Sequence, residues 1–488
     1  MIRKLKHIPD GLKHTLLYGC SIALMKGVSL LMLPFIAHHL STDEYGRLEV
    51  ITTLAIIGSI LVGMGLENTL FRFAGASQDQ KERTRLASEI FGLTLIIGSV
   101  SWFLGWYASE YMASLIPGNP SPYEVKLVIS ILALEGAISI PLGWFRMQNR
   151  VFHFFFATTG RALTQAILVL VLLSAGRSVE GVLEAGLIAA AAQAIVLAYF
   201  HIQDTGLSLS RETGTRSFIY SLPIVGSGLV AFSLNGLDRW ILADYASLAD
   251  VAQFGVAAKF SLAMILLMQP FGMWWSPRRF EVLHQAEGHQ KVANFIVVGI
   301  TLALIISVLV SLASPLLINW LLPESYASSA QYVVGLVLVM LLKEISDLIN
   351  IGCFKGKTTN TQLFINATGS VVGIVCMVWL TPLYAVWGII VSLILAQTLR
   401  VLMFFIASQH FLPLNYPLRS LLLFTSISAG WLIFSTQTIT LTQQILTIFA
   451  ASITLLSAAI YLKLTPVPAL IQKKTMDKKV KLNKVVSR

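Results

Sequence analysis

Charged side chains inside long apolar stretches are the residues best placed to do chemistry in this sequence. The cationic ones are Lys26, Arg161, Arg239, Lys259, Lys343 and Arg400. A charge held away from water is costly, so an ionisable residue in such a stretch is a functional candidate by default. We predict a cationic, substrate-binding cavity that accepts an anionic group. The residues assigned to it are Lys26, Lys259, Arg161, Arg146 and Arg400.

Each of these basic residues also has a structural alternative. Lys26, near the middle of its stretch, could pair with an acid of a neighbouring helix, and Lys259 could extend its ammonium group to the outer interface. Arg161 could join Arg146 in a basic inner mouth that gathers an anionic head group. Ordinary anchoring of a cytoplasmic loop explains Arg146 equally well, and Arg400 could line the cavity or extend to the inner interface.

Acidic residues in the same stretches are candidates for gating or ion coupling. Glu135 and Glu67 could carry a coupling proton, because a desolvated carboxylate takes up a proton more readily. Pairing with Lys26 or Arg161 is the alternative. Asp238 and Arg239 are adjacent and therefore point about 100° apart on a helix. Either could belong to an inter-lobe gate with an opposite charge, or to a structural ion pair near the outer interface.

Cysteine and histidine give no sign of a metal or catalytic centre. The three cysteines are scattered and none has Cys-x-x-Cys spacing, which argues against a disulfide scaffold and a cysteine-based metal cluster. The nine histidines lie mostly at the ends of predicted helices. We therefore predict no cofactor and no metal.

The elements that must position these charges follow from composition. Of 488 residues, 56% are apolar and only 12% are charged, about half the charged share of a soluble domain. We predict an all-α integral membrane protein with about 14 transmembrane helices, each needing about 20 apolar residues. The stretches are 14–39, 46–70, 87–109, 124–145, 154–175, 181–202, 217–243, 251–275, 293–321, 328–352, 361–380, 383–408, 418–436 and 441–462.

The distribution of basic residues predicts the orientation. With the N-terminus inside, 26 of the 35 lysine and arginine residues fall on the inner side, three on the outer side and six within the stretches. Positive residues of short loops stay cytoplasmic, so both termini are predicted to be cytoplasmic and the helix count to be even. The net charge of +11 then points to anionic membrane lipids and not to nucleic acid.

Two similar turns on the outer side indicate an internal repeat. Tyr45-Gly46 follows an acidic turn, and Phe254-Gly255 follows a similar one 209 residues later. In the first turn, Ser41 and Glu44 have the spacing of a capping box. Both turns lead into inward-running helices, so we predict two parallel-related six-helix lobes around a central cavity. The predicted parts are an N-lobe at 1–203, a C-lobe at 204–410, helices thirteen and fourteen at 411–464, and a basic cytoplasmic tail at 465–488.

Several short stretches resemble the polysaccharide transporter branch of the multidrug/oligosaccharidyl-lipid/polysaccharide exporter superfamily. The resemblance covers most of the chain in helix order, although its motifs are short. The stretches that carry it are Leu40-Ser41-Thr42-Asp43-Glu44-Tyr45-Gly46, Tyr220-Ser221-Leu222-Pro223, Asn235-Gly236-Leu237-Asp238-Arg239, Val251-Ala252-Gln253-Phe254-Gly255-Val256-Ala257-Ala258-Lys259 and Trp274-Trp275-Ser276-Pro277.

The resemblance implies a transporter and not an enzyme. A member of this branch would move an oligosaccharide on a polyprenyl pyrophosphate carrier from the inner to the outer leaflet of the bacterial inner membrane, by alternating access, for O-antigen or exopolysaccharide synthesis. A polysaccharide polymerase and a chain-length regulator are implied as partners. Sugars and phosphates cannot cross hydrocarbon unsolvated, so a polar, cationic cavity would lower that barrier.

Three alternatives stay open on the sequence. A cation-coupled multidrug antiporter of the same superfamily should keep acidic residues deep in the N-lobe, whereas this chain has basic residues at mid-span. A membrane-embedded glycan polymerase or acyltransferase should have a long outer loop or a buried histidine or aspartate constellation. The peptidoglycan-precursor flippase branch moves a similar pyrophosphate lipid, and only the short motifs above favour the polysaccharide branch over it.

Overall fold

The structure, a computed structural model, describes residues 10–233, 236–354, 360–435 and 441–465, without the side chains at 10–18, 20–23, 26 and 441. The described chain is built from α-helices joined by short connections, and it contains no strand. Two 3₁₀ turns, Glu324–Tyr326 and Asn350–Phe354, follow the helices numbered 13 and 14. The helices are α1 Asp10–His39, α2 Thr42–Gly63, α3 Leu66–Ala76, α4 Gln80–Leu115, α5 Pro122–Ala133, α6 Glu135–Met147, α7 Val151–Ser174, α8 Val179–Thr205, α9 Arg211–Phe232, α10 Leu237–Tyr245, α11 Leu248–Trp275, α12 Arg279–Leu283, α13 Gly288–Leu321, α14 Ser329–Ile349, α15 Asn360–Tyr384, α16 Val386–Phe411, α17 Leu418–Phe434 and α18 Leu441–Tyr461.

The predicted all-α membrane fold is confirmed. Each of the fourteen predicted stretches coincides with one helix or with a pair of consecutive helices. Within the described residues, ten helices are long and apolar enough to span a membrane, or eleven if α9 and α10 form one span. The chain is therefore a multi-pass membrane protein. The count of fourteen stays a prediction for the other stretches, among them α17, which has only 17 residues.

Besides the separation of α9 from α10, two of the predicted spans are interrupted, which the sequence did not indicate. Between α2 and α3, Met64 and Gly65 both adopt left-handed backbone angles, with φ of 47° and 62°. Between α5 and α6, the helix breaks at Leu134. Each break creates a new helix N-terminus inside the membrane segment. Glu67 lies in the first turn of α3 and Glu135 is the first residue of α6, where the helix dipole favours a negative charge.

The predicted capping box at the start of α2 is confirmed. The Glu44 amide donates to the Ser41 hydroxyl, and the Glu44 carboxylate accepts from the Ser41 amide at 2.9 Å. The same reciprocal arrangement precedes α11, where Ser247 and Asp250 bond to each other's backbone amides. Since a cap satisfies backbone donors that a helix start leaves unpaired, both turns fix where their helices begin.

The contacts divide the chain into two compact units, Met1–Gly255 and Val256–Arg488. In the first, α9 packs against α2, α3 and α4, and α10 packs against α2. In the second, α13 packs against α14, α17 and α18, and α15 pairs with α16. The predicted lobe boundary at 203/204 stays a prediction. The predicted basic tail lies outside the described residues from position 466 onward.

Candidate functional site

A buried ion cluster joins α2 to α10 in the first unit. The Arg239 Nε lies 3.0 Å from Oε2 of Glu49, and its Nη1 lies 3.2 Å from Oδ1 of Asp238. The backbone amide of Arg239 also donates to Asp238 at 2.8 Å. The exposed fractions of the three side chains are 17% for Arg239, 7% for Glu49 and 6% for Asp238. One guanidinium therefore bridges carboxylates from two helices.

Neighbouring backbone and ring contacts hold this cluster in place. The Trp240 indole donates to the carbonyl of Val50 at 3.1 Å, which ties α10 to α2 a second time. The Arg239 guanidinium lies 5.5 Å from the ring centroid of buried Phe254 in α11. A Cβ on Gly255 would lie 2.8 Å from Cγ and Cδ of Glu49. Only glycine therefore leaves the Glu49 carboxylate its present position.

The two aromatic-glycine turns both lie at this packing surface. A Cβ on Gly46 would overlap the backbone carbonyl of Leu248 at the start of α11, just as one on Gly255 would displace Glu49 of α2. Tyr45 and Phe254 are both fully buried. The repeated motif thus marks a close approach of helix ends. Glu49 is seven residues, or about 10 Å, into α2, so the ion cluster lies near the N-terminal end of α2, which the sequence predicts to be its outer end.

Glu67 and Arg146 form an ion pair between α3 and α6. Their side chains are 32% and 40% exposed, and the Arg146 guanidinium lies over the rings of Phe71 and Phe154 at 5.1 and 5.8 Å. Sequence reasoning placed Arg146 among the substrate-binding residues and Glu67 among the gating or coupling residues. The structure brings the two together, so the charge of each is compensated by the other.

Arg161 in α7 has a neutral partner. Its Nη1 donates to the amide oxygen of Gln193 in α8 at 3.2 Å, and the Gln193 amide nitrogen donates to the carbonyl of Ala157 at 3.0 Å. Glu135, at the helix break, is the carboxylate that interacts with Arg161 electrostatically. Among the described residues, no carboxylate comes within the 4.0 Å of an ion pair with Arg161.

Arg400 in α16 is held in the same manner in the second unit. Its Nε and Nη2 donate to the Asn366 side-chain oxygen of α15 at 3.1 and 2.8 Å, and its Nη1 donates to the Gln397 side-chain oxygen at 2.6 Å. Asp347 in α14 acts on it electrostatically. Within the described chain, Arg400 likewise has no ion pair. Arg161 and Arg400 are thus both bonded to amides, and no contacting carboxylate among the described residues cancels their charges.

The remaining predicted site residues are placed as follows. Lys26 belongs to α1, but its side chain lies outside the described residues. Lys259 is half-buried in α11, one helical turn beyond Gly255. Sequence reasoning assigned no role to Glu49, Gln193, Asn366 or Gln397. A neutral amide carries no charge to single it out in an apolar stretch, and Glu49 is close to a helix end, so only contacts across the fold reveal these four.

A metal site requires several ligating side chains close together. No group of three or more histidine, cysteine, aspartate or glutamate side chains that could hold a metal ion occurs in the described ranges. The arginines that are bonded to amides can bind an anion. The buried cluster of Arg239 can form or break a contact between helices.

Long apolar helices, broken spans and intramembrane arginines define a membrane transporter, and the comparisons agree with this class. The profile of the "Polysaccharide biosynthesis protein" family matches residues 12–283. The chain belongs to this family, which confirms the resemblance seen in the sequence.

Relatives and solved structures extend the comparison. A protein of Shigella dysenteriae described as "Putative O-antigen transporter" is 22% identical over 395 residues, covering 76% of this chain and 93% of the relative. The lipid II flippase MurJ in an inward closed conformation superposes with a TM-score of 0.71 and 12% identity, covering 93% of this chain and 99% of MurJ. The MATE multidrug transporter DinF-BH gives a TM-score of 0.56 and 14% identity over 82% of this chain and 95% of its own. At such identities the structural likeness shows the fold alone.

Proposed function

We propose that this protein is a flippase that moves a polyprenyl-pyrophosphate-linked oligosaccharide from the inner to the outer leaflet of the bacterial inner membrane, for surface polysaccharide synthesis. The observation that carries the proposal is the pair of intramembrane arginines, Arg161 and Arg400, whose charges are not cancelled by a contacting carboxylate. A cation in that state attracts an anionic substrate and would repel the cationic substrates of a multidrug antiporter. The family membership and the O-antigen transporter relative support the same substrate class.

The ion cluster at the predicted outer helix ends supports a role in the transport cycle. In the conformation described here Arg239 bonds Glu49 and Asp238, which holds α2 against α10. We propose that this contact is part of an outer gate that opens when the substrate leaves. Glu135 interacts electrostatically with Arg161, and Glu67 forms an ion pair with Arg146. We therefore propose these two acids as the ion-coupling residues.

The proposal includes the finer points of location and partners. Both termini face the cytoplasm, in accordance with the positive-inside distribution. The substrate is the lipid-linked oligosaccharide, and the surrounding lipids contact the basic inner loops. A polysaccharide polymerase and a chain-length regulator would use the product on the outer side. Lys26 and Lys259 are proposed to contribute further positive charge along the path, one in each predicted lobe.

The test is the amount and leaflet of polyprenyl-linked oligosaccharide in cells that lack the protein, together with their surface polysaccharide. Wild-type protein should restore outer-leaflet substrate and surface polymer. Arg161→Ala and Arg400→Ala should leave lipid-linked oligosaccharide on the inner leaflet, and Lys26→Ala and Lys259→Ala should show a partial defect. Arg177→Ala is the matched control, because Arg177 is half-exposed and paired with Glu180 and Glu184.

Two results would contradict the proposal. The first is an unchanged level and leaflet of the lipid-linked oligosaccharide in cells without the protein. The second is normal surface polymer accompanied by greater sensitivity to cationic drugs, which would identify a multidrug antiporter instead. Membrane levels of each variant are measured in parallel, so that a variant that fails to accumulate is not scored as inactive.

A further inference from the structure

The intramembrane arginines fall into two groups according to their bonding partners. Arg146 and Arg239 bond carboxylates, so each is neutralised by its contacts. Among the described residues, Arg161 and Arg400 bond amide oxygens of glutamine or asparagine and no carboxylate. A guanidinium has five N–H donors in a planar fork. An amide oxygen fixes the orientation of that fork and leaves its charge in place, whereas a carboxylate would fix the orientation and cancel the charge.

The two arginine–amide bonds join corresponding helix pairs of the internal repeat, although the arginines themselves are not at corresponding positions. Gln193 and Gln397 are 204 residues apart, and Arg161 and Asn366 are 205 apart, close to the offset of 209 between the outer turns. In each unit the bond joins the fifth and sixth helices of the predicted repeat, with the arginine on α7 in one and on α16 in the other. Each unit therefore has an arginine–amide bond between the same two helices of the predicted repeat, with arginine and amide exchanged between those helices.

Both arginines lie at a similar distance along their helices from the end that is predicted to face the cytoplasm. Arg161 is ten residues from the inner end of α7 and Arg400 is eleven residues from the inner end of α16. At 1.5 Å per residue, each lies about 15 Å along its helix, which is about half of the hydrocarbon thickness. A charge at that depth without a contacting counter-ion is expensive unless a ligand supplies the missing negative charge.

We propose that Gln193 and Gln397 are positioning residues that hold Arg161 and Arg400 as two repeat-equivalent anion-binding sites, one in each unit. The ligand class is a phosphate or carboxylate oxygen that accepts from the free N–H edge of the guanidinium. Either the pyrophosphate of the lipid carrier or an acidic sugar of the oligosaccharide would supply it. The inference deepens the proposed function and depends on it for the identity of the natural ligand.

The experiment converts the neutral amide into a carboxylate of the same shape. Full-length protein in nanodiscs of zwitterionic lipid is titrated with inorganic pyrophosphate and, separately, with glucuronate. Gln193→Glu and Gln397→Glu should each weaken binding at their own site at least about tenfold, or about 1.4 kcal/mol, because the new carboxylate neutralises the arginine. The unfolding temperature of Gln397→Glu should be equal to or above that of the wild type, because an ion pair replaces a hydrogen bond. Gln193→Glu also loses the bond from the amide nitrogen to the Ala157 carbonyl, so its unfolding temperature should be at most slightly lower.

A second substitution separates positioning from structural support. Gln193→Met and Gln397→Met keep the size of the side chain and the arginine charge but remove the bond, so binding should weaken only a few-fold. Gln409→Glu is the matched control: its amide bonds the backbone of Leu414 and no arginine, so anion binding should be unchanged. A loss for pyrophosphate alone assigns the sites to the carrier, and a loss for glucuronate alone assigns them to an acidic sugar.

Some results would overturn the inference. If the glutamate variants bind both anions as the wild type does, the arginine charge is not used for binding. If the methionine variants bind more weakly than the glutamate variants and also unfold earlier, the amides serve structure alone. Because this assay measures equilibrium binding and the flippase test measures a cellular phenotype, failure of the anion sites is distinguishable from failure of the proposed function.

Discussion

Replacing Arg239 by methionine is the perturbation with the largest expected effect on the first unit. The guanidinium of Arg239 lies 3.0 Å from one carboxylate and 3.2 Å from another, and both carboxylates are more than nine-tenths buried. At an effective dielectric constant of about 20, unit charges about 3 Å apart attract by roughly 5 kcal/mol. Most of this attraction offsets the desolvation of the three charges. What the substitution adds is the penalty of two buried carboxylates left without their cation.

That penalty determines how far Arg239→Met should lower the free energy of unfolding. Removing one partner of a buried ion pair destabilises a protein by about 3–5 kcal/mol, and here two acids are left close together. We expect Arg239→Met to lower the free energy of unfolding of the first unit by at least about 3 kcal/mol, since methionine conserves the packing but not the charge. The same loss applied to the contact between α2 and α10 would favour an open outer end by on the order of a hundredfold.

The assay is thermal unfolding of the purified protein in detergent, with two comparisons. Arg177→Met removes an arginine that also has two carboxylate partners but is 50% exposed, so it should cost about 1 kcal/mol or less. The triple variant Glu49→Gln, Asp238→Asn, Arg239→Gln has no charge and should recover at least half of the loss. If Arg239→Met unfolds no earlier than Arg177→Met, the reasoning from buried charge is refuted.

Three further predictions concern packing, capping and thiol chemistry. Gly255→Ala should lower the free energy of unfolding by about 1–3 kcal/mol and impair transport, because the added Cβ displaces Glu49. Gly272→Ala is the control in the same helix: its Cβ meets no atom within 4 Å, so it should be neutral or slightly stabilising. Equal unfolding temperatures for the two variants would contradict this prediction. Ser41→Ala should cost about 0.5–2 kcal/mol by removing the cap of α2, and Ser41→Asn should restore most of it in the same unfolding assay. Burial raises the pKa of the Cys353 thiol, and the residue is only 2% exposed. Maleimide should therefore label Cys353 slowly at pH 7, faster as the pH rises, and fully only after heating, as measured by mass spectrometry. Rapid labelling of the folded protein would contradict the burial of this residue.

How far the sequence predicts the candidate site depends on the charge of each member. Arg161, Arg239 and Arg400 stand out because a charged residue interrupts an apolar run, and this contrast is visible in one dimension. The partner of Arg239 on α2 is 190 residues away, and the partner of Arg161 is an uncharged amide. Sequence reasoning offered Lys26 or Arg161 as partners for the intramembrane glutamates. In the structure, Glu67 instead forms an ion pair with Arg146, which the sequence had placed among the substrate-binding residues.

The sequence by itself determined the class of the protein, the place of its helices, the cap at Ser41 and the family, because the length of an apolar run and the spacing of a turn are local properties of the chain. Only the tertiary structure decided where the spans break and which charges are cancelled. The break at Met64 and Gly65 follows from backbone angles that no apolar pattern encodes. Whether an arginine meets a carboxylate or an amide depends on the packing of helices distant in the sequence, and that choice separates an ion pair that stabilises the fold from a charge that can bind a ligand.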